Sequence, residues 1–234
     1  TAKEWGIDPK SEMYKLPAMY VGEYAEQDAD LTLKLWQEMK KLMRAEEVES
    51  IFDVETELFP CLVDMRFLGV RVDIQEAHSL KQKLVQEEKE CLLQVQRETG
   101  IEPQIWAARS IEKVFQKLSL PFDRTEKTGA PSFTKNFLQN HPHKLVKLIA
   151  RAREINKAHT TFIDTIIKYE HKGRIHAEIN QLRSDQGGTV TGRFSYANPN
   201  LQQIPARNKE LGPRIRSLFI PEEGMTWGCF DYSQ

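Results

Sequence analysis

Leu31, Leu35, Met39 and Leu42 recur at spacings of three and four through "EYAEQDADLTLKLWQEMKKLMRAEEV" (residues 23–48), with polar residues between them. That period predicts an amphipathic helix. "IFDVETELFPCLVDMRFL" (51–68) predicts a second helix, with Pro60 as a candidate kink and Gly69 as its C-terminal stop before a short extended "VRV". Asp73 followed three residues later by Glu76 forms a capping box, opening a long helix that ends near Thr99-Gly100. Its apolar stripe is Ile74, Ala77, Leu80, Leu84, Leu92 and Val95. Ser110 is placed to cap a shorter helix reaching Leu118, and Ser132 to start another after the turn-rich "DRTEKTGAPSFTKNF". Residues 143–169 are helical in period throughout.

After Gly173 the pattern changes. "RIHAEINQ" alternates as a half-buried strand does, and "SDQGGTVTGRFSYANPNLQQIPARN" then has loop composition. A loop of that length in a compact domain is uncommon unless it has a task. The chain closes on "WGCFDYSQ", whose Trp227, Cys229, Phe230 and Tyr232 read as a strand inside a sheet. That apolar ending, and an N-terminus without Met or a signal-like apolar stretch, make both ends read as cut from a longer chain.

Composition narrows the class without naming it. At 234 residues, 40% hydrophobic and 29% charged, the chain reads as a soluble globular protein of one to three units. No apolar run approaches the roughly 18 residues of a membrane span. Cys61, Cys91 and Cys229 are odd in number, widely spaced and set in apolar patterns, which predicts buried thiols in a reducing compartment and no structural zinc. The net charge of −1 hides an asymmetry: residues 1–100 carry 13 Lys and Arg against 21 Asp and Glu (−8), and residues 101–234 carry 20 against 13 (+7). A basic half suits a polyanionic partner, although an ordinary solvated surface has the same composition.

Three groups of residues could carry chemistry. In the long loop, Arg193, Ser195, Tyr196, Asn198, Asn200, Gln202, Gln203, Arg207 and Asn208 offer donors and acceptors for phosphates, sugars and base edges, while Pro199 and Pro205 stiffen the backbone. A polar surface loop would look the same by composition. Asp231, at the end of an apolar run, suits a divalent-metal ligand, or simply a turn after a strand. Tyr24 and Asp28 stand four apart on a predicted helix, where a phenol could orient a water beside a metal-bound carboxylate. Arg153 and Lys157 likewise share a helical face.

Taken together and in order, "TVTGRFSYANPNLQQIPARN", "RIRSLFIPEEG" and "FDYSQ" resemble the family A DNA polymerases, the group of bacterial DNA polymerase I and its phage relatives. The likeness extends along the chain. "EYAEQDADLTLKLW" is similar to the Tyr-x3-Asp motif of that family's 3'-5' proofreading exonuclease, "FLGVRVD" and "TEKTGAPS" to its thumb, and "RAREINKAHTTF" to the helix leading into the palm. The resemblance implies an α+β, mostly helical fold: exonuclease helices over 1–47, the thumb over 48–143, and the first β-strands of a palm over 144–234, ending within motif A.

The same resemblance implies template-directed nucleotidyl transfer to a primer 3' end in DNA replication, of a phage genome in one reading, with two Mg2+ ions at each complete active site. Asp231 would be a metal-binding carboxylate and the Tyr232 carbonyl a further ligand, with Gln234 near the nucleotide. Arg193, Asn200, Gln202, Gln203 and Arg207 would lie on template, primer or incoming nucleotide, and Arg153 and Lys157 would face the duplex. Asp28 would hold a metal in the exonuclease site beside Tyr24. The implied partners are primer-template DNA and deoxynucleoside triphosphates, with no membrane, an unidentified processivity factor and a cytoplasmic, non-secreted location. Motif A carries one of two metal carboxylates, so one alternative is that the isolated chain is a non-catalytic duplex DNA-binding module; the other is a parent polymerase whose exonuclease is inactive and which serves in repair.

Overall fold

The computed structural model describes residues 2–8, 10–184 and 187–233. It is an α+β fold dominated by helices, and the chain divides into two compact units, Thr1–Cys61 and Leu62–Gln234.

The first unit carries α1 (Ala18–Ala45) and the start of α2 (Glu49–Leu68). Glu47, at a positive φ of 56°, turns the chain between them. The helical period was legible; the burial was not. Leu31, Leu35, Met39 and Leu42 are all about half exposed, and α1 buries no residue, because within this unit no described element covers the stripe. Two aromatic contacts order the unit: Trp36 on Phe52, and Trp5 edge-on to Tyr20. Helix α2 continues through Pro60.

The second unit is built on α3 (Ile74–Thr99) and α6 (Lys144–Lys157), packed along each other. Asp73 caps α3 by accepting from the Glu76 N–H at 2.8 Å, and the helix ends at Gly100, both as the spacing predicts. The stripe faces inward: Ala77, Leu80, Leu84 and Val95 are buried, with Ile74 and Leu92 half-buried against the core. Two apolar clusters flank this helix pair. One joins the first half of α3 to Ile155, Ile163, Ile175, Leu211, Ile215 and Leu218. The other joins Val95 to α4 (Ala108–Lys117), α5 (Lys135–Asn140) and the front of α6, around the fully buried Phe115.

Several predicted boundaries are corrected. Helix α4 starts at Ala108, capped by the Ala107 backbone, because the Ser110 hydroxyl instead accepts from the Gln104 N–H at 3.0 Å and ties down the preceding loop. Ser132 starts no helix: it pairs with Asp123 across the hairpin of β2 (Asp123–Arg124) and β3 (Pro131–Ser132), and Thr134 caps α5 by accepting from the Phe137 N–H. Residues 143–169 are not one regular helix. A π-helical turn, Ala158–Ile163, separates α6 from α7 (Asp164–Tyr169), and an inserted residue of this kind shifts which side chains point inward. His159 is buried there.

The expected strand through "RIHAEINQ" divides in two. β1 (Val70–Arg71), β5 (Arg174–Ile175) and β4 (Glu170–His171) form a sheet in the order β1-β5-β4, all antiparallel. Lys172 and Gly173, both at positive φ, make the two-residue turn between β4 and β5. Gly69 is required at its site, since a Cβ there would lie 2.8 Å from the Ile175 carbonyl oxygen. β6 (Glu178–Asn180) pairs instead with β7 (Ser195–Ala197), register Ile179↔Tyr196.

The terminal segment is also corrected. Residues 225–233 form no strand and are exposed, Phe230 and Tyr232 almost fully, because no described segment offers them a ladder to join. Cys229, on this segment, and Cys61, on α2, are exposed and only Cys91 is half-buried, contrary to the apolar-pattern expectation. Among the described residues no helix is long and apolar enough to cross a membrane.

Candidate nucleic-acid interface

One face of α6 carries the densest grouping of the predicted residues. Three adjoining hollows of about 270, 250 and 440 Å³ share Lys135 and Glu154 and so form one continuous groove. Arg153 and Lys157 line it from α6, while Gln203, Arg207 and Asn208 line it from the long loop. Five cations, Lys135, Arg153, Lys157, Arg207 and Lys209, stand against the two carboxylates Glu154 and Glu210. Both carboxylates are engaged. Glu154 accepts from Gln139 at 2.6 Å and lies 3.6 Å from Lys135, and Glu210 pairs with Arg151. The groove therefore keeps a positive excess, the electrostatic requirement for holding a phosphate backbone.

Arg153 is less free than its helical position implies. Its Nε donates to the Ile105 carbonyl at 2.6 Å and its Nη1 to the Phe133 carbonyl at 2.7 Å, with the guanidinium 5.3 Å from the Trp106 ring centroid. It thus joins the 101–107 loop and the β3–α5 connection to α6. Burial pushes its pKa down from the ordinary guanidinium value.

The long loop holds more regular structure than its composition suggests. After β7 comes a cis Asn198-Pro199 bond with Pro199 buried, then a 3-10 turn, Leu201–Gln203. Asn200 caps that turn by accepting from the Gln202 N–H at 3.1 Å, and the Gln202 amide donates to the Phe194 carbonyl at 3.0 Å. Asn198 bridges Tyr169 and Glu178, and Asn208 accepts from the Glu210 and Leu211 N–H groups to open α8 (Leu211–Arg216). Several loop amides therefore shape the backbone, while the Arg193, Gln203 and Arg207 side chains stay exposed. Arg193 lies outside the α6 groove, on the segment where its carbonyl accepts from the Thr189 hydroxyl.

The remaining predicted residues are not among those that line this groove. In the first unit, Tyr24 lies beside Asp28, and that carboxylate holds the phenol pKa above its ordinary value. Asp231 and Tyr232 are exposed on the terminal segment, and Gln234 lies outside the described residues. Carboxylate and carbonyl oxygens are the right donors for Mg2+. Among the described residues, however, no three His, Cys, Asp or Glu cluster closely enough to hold a metal ion. The described residues therefore do not by themselves fit a two-ion centre.

Sequence reasoning missed the residues that complete the groove. Trp106, Lys135 and Gln139 come from α5 and the loop before α4, and only the packing of these elements on α6 brings them to Arg153. It also missed a polar cluster beneath. Glu88 on α3 meets His159 Nε2 at 2.5 Å and accepts from Asn156, which in turn accepts from the Trp106 indole N–H at 2.8 Å. The inward-facing His159 depends on the π-helical turn, which period alone does not reveal.

Comparison with known proteins matches residues 74–234 to the model of DNA polymerase family A. A DNA-directed DNA polymerase of Pseudomonas phage M6 is 33% identical over the whole of this chain and 36% of its own length. The thermostable DNA polymerase I of Thermus thermophilus is 34% identical over 92% of this chain and 26% of its own. The chain thus spans about a third or less of these two relatives. Among solved structures, the polymerase domain of Pol1 from M. smegmatis, in complex with DNA primer-template and dNTP, superposes with a TM-score of 0.61 at 25% identity, covering 74% of this chain and 30% of that one.

Proposed function

This chain belongs to DNA polymerase family A, and from that premise we propose that it is the part of a DNA-directed DNA polymerase that grips primer-template DNA. The observation that carries the reading is the α6 groove, where Arg153 and Lys157 from one part of the sequence meet Gln203 and Arg207 from another under a positive excess. A groove lined by cations and amides holds a duplex by its phosphates and sugars with little sequence preference. Arg193 and Asn200, on the same loop, are assigned to the primer-terminus side, and Gln202 holds the loop backbone in place.

In this reading residues 1–47 belong to a 3'-5' exonuclease domain, 48–143 to a thumb and 144–234 to the start of a palm. Tyr24 and Asp28 are assigned to the exonuclease, supported by the Asp28 carboxylate's influence on the neighbouring Tyr24 phenol. Asp231 and the Tyr232 carbonyl are assigned as ligands of the polymerase Mg2+, which when bound would supply charge stabilisation at the transferring phosphorus. Gln234 is assigned to the nucleotide side. Deoxynucleoside triphosphates are the proposed second substrate, the phage relative favours a replicative role in a host cytoplasm, and a processivity factor is left unassigned. A second reading, binding without chemistry by this chain alone, draws on the isolation of Asp231 from any metal-holding cluster among the described residues.

The test is fluorescence anisotropy with labelled primer-template. The chain is expected to bind, with affinity falling as salt rises, and Asp231→Ala is expected to leave that binding unchanged. Absence of binding at low salt, or binding indifferent to salt, would sink the reading.

A further inference from the structure

Trp106 is exposed over 60% of its surface yet held from two sides. Its indole N–H donates to Asn156 Oδ1 at 2.8 Å, and the Arg153 guanidinium sits over the ring 5.3 Å from its centroid. Neither support is free to drift. Asn156 is itself bonded to both oxygens of Glu88, and Arg153 is pinned by two backbone carbonyls. A surface tryptophan without partners samples rotamers, whereas this one is held by a hydrogen bond and a guanidinium while more than half of its surface stays exposed. It lines the groove with Lys135 and Lys157, and among the described residues Glu154 is the only carboxylate lining that hollow, bonded by Gln139 and 3.6 Å from Lys135.

A fixed aromatic plane beside cations matches the requirements for holding an unpaired nucleotide: the base stacks on the ring and the phosphates meet the ammonium groups. Bases inside a duplex cannot use such a plane, because both of their faces are already stacked. We propose that Trp106 is a stacking platform for an unpaired DNA base, with Lys135 and Lys157 holding the adjoining phosphates and Asn156 and Arg153 positioning the ring. This rests on the DNA-binding reading above and adds to it a second substrate form, single-stranded DNA at a duplex end. The unpaired base can come from a 5' template overhang or from a frayed primer 3' end, which share this chemistry.

The test compares the chain with three probes: a blunt duplex, a duplex with a 5' overhang and one with an unpaired 3' end. The unmodified chain should prefer one overhang probe over the blunt duplex, and which one identifies the source of the base. Trp106→Ala should weaken that probe between about 5- and 150-fold, the range for removing one base–aromatic stack, and weaken the blunt duplex by much less. Trp106→Phe, which keeps a ring face but not the N–H, should retain most of the preference. Overhang binding should also quench tryptophan emission in the unmodified chain, and that increment should be missing in Trp106→Phe, leaving Trp5, Trp36 and Trp227. Equal weakening of blunt and overhang probes by Trp106→Ala would show a merely structural tryptophan and overturn the proposal, as would no weakening at all. If the unmodified chain binds the blunt duplex but shows no overhang preference, the platform alone fails; if it binds neither, the DNA-binding reading fails and takes the platform with it.

Discussion

Arg214 shows how single residues join parts that the sequence keeps far apart. Its Nη2 donates to Glu87 Oε1 at 2.7 Å and its Nη1 to Oε2 at 3.2 Å, linking α8 to α3, and Arg151 adds a weaker contact at 3.8 Å. The hydrogen bond from Arg214, then its charge and that of Arg151, pull the Glu87 pKa below the usual carboxylate range against an opposing cost of burial. A lowered carboxylate pKa contributes stability that is present above the unfolded-state value and is lost as pH falls through the folded-state value. Arg214→Gln is therefore expected to destabilise the fold at neutral pH, and the gap from the unmodified chain should close as pH drops below the ordinary carboxylate pKa. Because both side chains keep about a third of their exposure, the neutral-pH effect should be on the order of 0.5–1 kcal/mol, read by urea denaturation across pH. A gap that persists unchanged in acid would point to lost packing of the arginine stem instead.

At the scale of elements, the joint between α4, α5 and α6 determines whether the groove exists. Phe115 is fully buried there and meets the rings of Phe122, Phe133, Phe137 and His141 at centroid distances of 4.8–6.1 Å. Removing its ring leaves a cavity among rings that cannot all move in, so Phe115→Ala should cost about 3–5 kcal/mol. The Phe133 carbonyl is one of the two that hold Arg153, so the damage should extend from core to groove. Calorimetric melting combined with DNA binding checks this: lost stability with undisturbed DNA affinity would separate the groove from this core. The α4 register and the α5 cap explain why these elements were only half legible. Ser110 and Ser132 are good caps by residue type, but their local alternatives, a bond to the Gln104 N–H and a place in a hairpin, take precedence in the folded chain.

For the molecule as a whole, the near-neutral net charge of −1 conceals a basic half, and the groove gathers part of that charge on one face. Each phosphate contact releases counterions, so the dependence of log affinity on log salt measures how many cations take part. Neutralising Lys135 and Lys157 singly to Gln should each reduce that slope by about one and weaken binding alike across sequences. An unchanged slope would remove them from the interface. Asp231 lies on an exposed segment where only its sequence context supports a ligand role.

By itself the sequence determined the helices with strong period, the Asp73 cap, the Gly69 stop and, through its long motif strings, the family. These depend on interactions within a few residues or on wording that survives without coordinates. Only the tertiary structure decided that the α1 stripe stays exposed, that a π-helical turn buries His159, that Arg153 is tied to two carbonyls, and that Trp106 stands over the groove. Each depends on partners distant in sequence. Periodicity reports which face of an element is apolar, but what covers that face, and which polar group finishes bonded beneath it, follows from packing among whole elements.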